Sequence, residues 1–216
     1  MKRLGLLGDP HACPEPVAEA LSIFKQQRVD AIWCTGDIAG YGEALAETIH
    51  LLQQADCQSI LGNHEIWYLE KQADQGSAEI KQYLNELPLV IHQDMEGKRV
   101  YMVHASPPDS MSDGIRLLDQ HGNIIEAEKQ SWSERLAHFD YEVLIVGHTH
   151  QAFAEVLGTT LVINPGSTRF NHSCAILQLP DLKLQWFALS GQPIRRSWNW
   201  GMGLPVREGT REDKRE

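Results

Sequence analysis

The stretch Leu4-Gly5-Leu6-Leu7-Gly8-Asp9-Pro10-His11 decides the fold. A short apolar run ends in glycine and is followed at once by residues that can bind a metal. The pattern returns in Ala31-Ile32-Trp33-Cys34-Thr35-Gly36 before Asp37, in Ser59-Ile60-Leu61-Gly62 before Asn63, and in Val143-Leu144-Ile145-Val146-Gly147 before His148. A fifth run, Val100-Tyr101-Met102-Val103, ends on His104 without the glycine. Runs of this length read as buried strands of a mostly parallel sheet. Each then delivers a ligand at its carboxyl end, where open α/β sheets bind their ligands. Glycine at that point lets the backbone turn sharply and come close to what is bound. Asp, His and Asn converging from five segments are first of all a metal site.

Outward from these runs, strands and helices alternate in the first half. The spacing of Val17, Leu21 and Phe24, with Pro16 near the start, predicts a helix over 14–27. Leu45, Ile49 and Leu52 predict another over 43–54, and residues 65–86 read as helical with a break near Gly76. Strands follow at 89–92 and 99–104, joined across Glu96-Gly97. Residues 105–130 hold prolines, glycines and many polar side chains directly after His104, and long irregular stretches of this kind tend to be functional or disordered. Their place suggests that they line the substrate entrance. A helix is expected over 131–139, with Ser131 as cap and Glu134 three residues on. Further strands are expected around Val146 and over 152–156, 161–163, 174–178 and 184–188, so the second half is richer in antiparallel pairing and two packed sheets result. The expectation is a single domain over 1–206 and a loose charged tail over 207–216.

A chain of 216 residues, 42% hydrophobic and 22% charged, is long enough for one ordinary core. The formal net charge of -10 gives no basic footprint and argues against nucleic acid as partner. A small phosphorylated substrate held by metal is compatible with it. The start of the chain shows no export signal and no stretch spans a membrane, so a cytoplasmic location is expected. Cys13, Cys34, Cys57 and Cys174 are scattered without Cys-x-x-Cys spacing, which fits reduced thiols. Cys13, two residues past His11, reads either as a soft ligand or as a small turn residue.

The candidate ligands are Asp9, His11, Asp37, Asn63, His104, His148 and His150. Asp9 and His11 are two apart, as are His148 and His150, and in an extended segment this puts both side chains on one face. Carboxylate, imidazole and amide oxygen together suit Mn, Fe or Zn. Seven groups are too many for one tetrahedral ion and serve two ions that share a carboxylate. Pro10 fixes its own φ and restricts Asp9 to extended conformations. His50, His92, His121, His138 and His172 have no motif around them and read as surface or helix positions.

Taken in order, Gly8-Asp9-Pro10-His11, Gly36-Asp37, Gly62-Asn63-His64-Glu65, His104 and Gly147-His148-Thr149-His150 resemble the calcineurin-like metallophosphoesterase superfamily over roughly residues 4–167. The small size without a cap insertion, and the turn Asn164-Pro165-Gly166-Ser167, are similar to its compact prokaryotic phosphodiesterases. The resemblance implies an α/β fold, a four-layer α/β/β/α sandwich of two mixed sheets flanked by helices. It implies a dinuclear centre with Asp9, His11, Asp37 and His150 on one ion, Asp37, Asn63, His104 and His148 on the other, and Asp37 bridging. The cofactors it implies are two divalent ions, Mn first, with Fe, Zn or Ni as alternatives. A hydroxide between them would attack phosphorus in line and hydrolyse a phosphodiester or phosphomonoester. His64, with Asp37 the second catalytic residue, would help the leaving oxygen or stabilise phosphoryl charge, and Glu65 would orient His64.

Arg169 reads either as a bidentate donor to a substrate phosphate or as a surface arginine. Trp198 and Trp200 fit a core edge or a subunit contact equally. The competing readings are a catalytically impaired scaffold or binding protein on the same fold, a nuclease of the same superfamily, and a protein phosphatase. A scaffold is free to lose ligands or His64, and none is missing here.

Overall fold

Strand β1 (Lys2–Leu7) is buried on both faces, with Leu4 and Leu6 pointing one way and Leu7 the other. That double burial places it in the middle of a layered molecule. The computed structural model of the chain describes residues 1–71 and 77–198. After β1 come α1 (Pro14–Gln26), β2 (Ala31–Cys34), α2 (Leu45–Gln54), β3 (Gln58–Ser59), α3 (Asn63–Lys71) and α4 (Ala78–Glu86). The second half runs β4 (Val90–Met95), β5 (Lys98–Val103), α5 (Glu126–Arg135), β6 (Val143–Ile145), β7 (Ala152–Leu157), β8 (Thr160–Pro165), β9 (Ser173–Leu179) and β10 (Lys183–Ala188).

The strands form two five-stranded sheets, in the orders β10-β9-β1-β2-β3 and β4-β5-β6-β8-β7. Neither is mostly parallel. The parallel pairs are β1·β2 and β2·β3 in one sheet and β5·β6 and β6·β8 in the other, while β9, β10, β4 and β7 pair antiparallel at the flanks. For three of the four antiparallel pairs the physical reason lies in the connections: short turns join β4 to β5, β7 to β8 and β9 to β10, and a short turn can only reverse the chain. The five strands that precede the candidate ligands all belong to the parallel sets, so within each sheet their carboxyl ends share an edge.

Three apolar clusters separate four layers. One packs α1, α2 and α4 on the outer face of the first sheet, with Val17, Phe24, Ile49 and Leu84 against Leu7, Cys34 and Ile176. The second lies between the sheets, where Leu4, Leu6 and Trp33 meet Val100, Met102, Val143 and Ile145. The third covers the far face, with Trp132 and Leu136 against Val103, Leu144, Val146 and Phe153. Along β5 and β6 alternate residues serve the second and third clusters, the period-two signature of strands covered on both sides. Pro14 opens α1, where its missing N–H costs nothing. Burying a ring such as Phe24 contributes roughly 1.5–3 kcal/mol.

Several elements differ from expectation. The last helix begins five residues early, at Glu126, and Ser131 lies within it rather than capping it. Residues 126–130 (Glu-Ala-Glu-Lys-Gln) are good helix formers, and the helix is tied down by Trp132 and by the Lys129–Glu155 ion pair at 2.7 Å. The stretch before it is not open coil either, for Ile115, Leu117 and Leu118 are fully buried. β3 is shorter than expected because Leu61 leaves the sheet to donate to the Pro88 carbonyl at 2.9 Å. α3 starts at Asn63 itself and α4 is a separate helix, with the expected break at Gly76 outside the described residues. The tail over 207–216 and Trp200 also lie outside them. The Trp198 ring stacks on Phe170 at 3.9 Å, and the Trp198 backbone N–H donates to the His150 carbonyl. All four cysteines are free thiols, and Cys13 turns its sulfur toward Glu15 at the start of α1. No helix of the described residues is long and apolar enough to cross a membrane.

Candidate metal centre

Asp9, His11, Asp37 and His150 bring one ligand atom each to within 4.8 Å of one another, and Asp37, His104 and His148 do the same. Asp37 belongs to both groups. Asn63 joins the second, its Oδ1 lying 3.1 Å from His104 Nε2 and 2.9 Å from His148 Nδ1. The seven residues singled out in the sequence therefore meet at one place, across both sheets. Cys13 is in neither group.

The local reason is not the extended spacing. Asp9, His11, Asp37, His148 and His150 all have positive φ, between 45 and 64 degrees. Pro10 does not hold Asp9 extended, and the two-residue spacing does not place His148 and His150 together: His150 goes to the group of Asp9 and His148 to that of Asn63. Asp and His are among the few residues that adopt this left-handed region at modest cost. Each such residue stores roughly 1–3 kcal/mol and persists only where its surroundings overdetermine it.

Those surroundings are hydrogen bonds. Glu65 is fully buried, and its carboxylate accepts the backbone N–H groups of Asp37, Ala39 and Gly62 at 2.9, 2.7 and 2.7 Å. It thus organises two ligand loops rather than the His64 ring. Asn171 donates to the carbonyl of His150 at 2.8 Å and accepts from the N–H of Ser167, whose hydroxyl donates to the carbonyl of Asp9 at 2.6 Å. Asn164, in the turn singled out above, donates to the Gly147 carbonyl and to the Thr149 hydroxyl. At Gly62 any Cβ would strike the Asp37 carboxylate, so glycine permits the close approach of the two loops.

The polar groups at the centre fit cations. His11 Nδ1–H donates to the Ala39 carbonyl at 3.1 Å and His104 Nδ1–H to that of Thr35 at 2.7 Å, which turns each Nε2 inward. His11 Nε2 then lies 2.9 Å from His150 Nε2, and His104 Nε2 lies 3.3 Å from Asp37 Oδ1. Ring nitrogens and carboxylate oxygens this close must either share protons or hold a cation between them. Asp9 Oδ2 is buried without a hydrogen-bond partner among the described residues. Burial pushes the Asp9 carboxyl well above the usual range, and the nearby charge of His104 offsets only part of that cost. Burial pulls His11 and His148 each down to about 4 and His150 well down too, so three imidazoles are neutral and ready to ligate near neutral pH. For Asp37 burial works upward, but the charge and hydrogen bond of His104 outweigh it and hold the carboxyl below its usual range.

The first 179 residues match the calcineurin-like phosphoesterase superfamily domain. The chain belongs to that superfamily. An uncharacterized protein of Methanocaldococcus jannaschii is 26% identical over 180 residues, covering 76% of this chain and 68% of that one. Among solved structures, a metallophosphoesterase from Sphaerobacter thermophilus superposes with a TM-score of 0.62 at 24% identity, covering 89% of both chains. Yfce, a phosphoesterase from E. coli, gives 0.53 at 19% identity over 87% of this chain and 99% of its own. At these identities the structures speak for the fold alone: two mixed sheets between helices, as in the superfamily's sandwich.

Around the centre of this calcineurin-like chain lies a cavity of about 230 Å³ lined by Asp37, Asn63, His64, Arg116, His148 and His150 among others. His64 is in neither ligand group and holds its Nε2 4.0 Å from Asp37 Oδ2. Burial lowers its basicity. Arg169 does not line the cavity: its guanidinium donates to the His11 carbonyl at 3.0 Å and lies over Phe170, so it braces a ligand loop. The arginine that lines the cavity is Arg116, which the sequence reading did not single out. Its signal was there, for it is the only Lys or Arg between His104 and Glu126.

Proposed function

We propose that the protein is a metal-dependent phosphoesterase that hydrolyses a small phosphodiester or phosphomonoester at a dinuclear centre. The observation that carries the reading is the sharing of Asp37 by two adjoining ligand groups. Asp9, His11, Asp37 and His150 would hold one divalent ion, and Asp37, Asn63, His104 and His148 the other. Bound there, the pair supplies a water made nucleophilic at neutral pH and a clamp for phosphoryl charge. Mn²⁺ is the first candidate, with Fe, Zn or Ni as alternatives.

The chain's own residues do the rest. His64 lines the cavity without belonging to a ligand group, the place for a group that protonates the leaving oxygen or steadies phosphoryl charge. Arg116 offers a guanidinium fork for a non-bridging oxygen. Glu65 keeps the ligand loops at their strained angles. Every ligand and His64 are present, which favours an enzyme over a scaffold.

The test is hydrolysis of a panel of phosphomonoesters, phosphodiesters and nucleotides by the Mn²⁺-reconstituted protein. Turnover of at least one class is expected, abolished by chelation and by Asp37→Asn. A fully metallated protein inert toward the whole panel overturns the reading.

A further inference from the structure

Two of the large apolar side chains left in contact with solvent stand at the rim of the same cavity. Tyr41 is 56% exposed and Trp67 is 49% exposed. Their ring centres lie 4.8 and 4.7 Å from that of His64. Trp67 follows His64 by three residues on α3 and so shares its face of the helix. One exposed aromatic is ordinary on a protein surface. Two flanking a single histidine, at the edge of a cavity lined with metal-type ligands, put two aromatic rings within reach of whatever extends over the rim.

The other part of the cavity is polar. Arg116 and Ser112 line it. At about 230 Å³ the cavity falls short of the 300–1,000 Å³ common for sites that enclose a drug-sized ligand. It has room for a phosphoryl group and its immediate substituents, and a larger substrate must extend over the rim. Aromatic side chains hold extended bases by their faces, with little demand on which base it is.

We infer that the substrate is a nucleotide whose base lies on the platform of Tyr41 and Trp67 while its phosphate meets Arg116. This rests on the phosphoesterase reading above and names the substrate class of that site. The cavity binds the phosphate end, and the rim selects for a heteroaromatic ring on the organic end.

The test compares adenosine monophosphate with ribose phosphate, which share sugar and phosphate and differ by the base. Binding to the full-length Mn²⁺-loaded protein is read by calorimetry, and each compound is also run as an inhibitor of bis-para-nitrophenyl phosphate hydrolysis. The nucleotide is expected to bind at least about tenfold tighter, the scale of a single stacked base. Trp67→Ala should erase that advantage and leave ribose phosphate unchanged, Trp67→Phe should keep most of it, and Arg116→Ala should weaken both compounds by a similar factor. Equal affinities in the unaltered protein, or a preference that survives removal of both Tyr41 and Trp67, overturn the inference. Diester hydrolysis without any base preference sinks the platform and spares the phosphoesterase. A base preference in a fully metallated protein that hydrolyses no phosphoester does the reverse.

Discussion

Glu65 Oε2 accepts the backbone N–H of Asp37 at 2.9 Å, and the same oxygen accepts that of Gly62 at 2.7 Å. One buried carboxylate from the first turn of α3 therefore joins the loop after β2 to the loop after β3. Asp37 stands at a φ of 52 degrees and Asn63 opens α3, and this link sets their relative position together with the His64 N–H, which donates to Asp37 Oδ1 at 3.0 Å. Three N–H groups on one side chain leave no donor of these loops orphaned at that point.

Glu65→Gln tests the link at nearly constant volume. An amide has one acceptor oxygen, so at least one of the three N–H groups would face an NH₂ group instead. A buried donor left unpaired costs roughly 1–3 kcal/mol, offset in part by relief of a buried charge. The expected result is a net loss of about 1 kcal/mol or more in denaturant unfolding of the chelated protein, together with weaker metal retention. Unchanged unfolding and full metal content would show that the link is dispensable.

Asp37→Asn should cost the most metal of any single ligand change, because Asp37 alone belongs to both groups. Elemental analysis of the reconstituted protein is expected to find two ions per chain before the change and clearly fewer after it. A ratio that never exceeds one ion in the unaltered protein is incompatible with a dinuclear centre. His11→Ala or His148→Ala should each lose mainly the ion of its own group.

Gly40→Ala probes the loop from outside the ligand set. Gly40 has a φ of 89 degrees, and a Cβ built there collides with the His64 ring. The backbone conformation alone disfavours alanine by about 1–3 kcal/mol. Displacement of His64 should lower kcat while both ions stay bound, since His64 is in neither ligand group. A normal kcat with normal metal content would mean that the position of His64 is not critical.

That the seven candidate ligands gather at one place was legible because residue type and place after apolar runs set them at strand ends. Strand identity was legible for the same reason, since Leu4, Leu6 and Leu7 must be buried on two faces. What fixes the ligands in space was hidden. The left-handed conformations of Asp9, His11, Asp37, His148 and His150 depend on partners far along the chain, such as Ser167 for Asp9 and Asn171 for His150. No local period encodes such pairs. α5 was misplaced because its polar composition carries little helical stripe, and a plausible cap at Ser131 outweighed good helix formers before it. Glu65 was expected to serve its neighbour His64, yet helical geometry sends adjacent side chains to different directions.

The last prediction concerns His64 itself. Its ring sits between Tyr41 and Trp67, with Nε2 4.0 Å from Asp37 Oδ2, close to the centre yet outside both ligand groups. If it acts as a general acid, it protonates the departing oxygen, a contribution of about 10²–10⁴-fold in typical cases. That help matters most for an alkoxide, a poor leaving group, and least for nitrophenolate, which departs without a proton. His64→Ala is therefore expected to keep both ions and to lose more rate on an alkyl phosphoester than on a nitrophenyl ester. Equal losses on the two substrates would assign His64 to charge stabilisation of the phosphoryl oxygens instead. Loss of an ion would place His64 among the ligands.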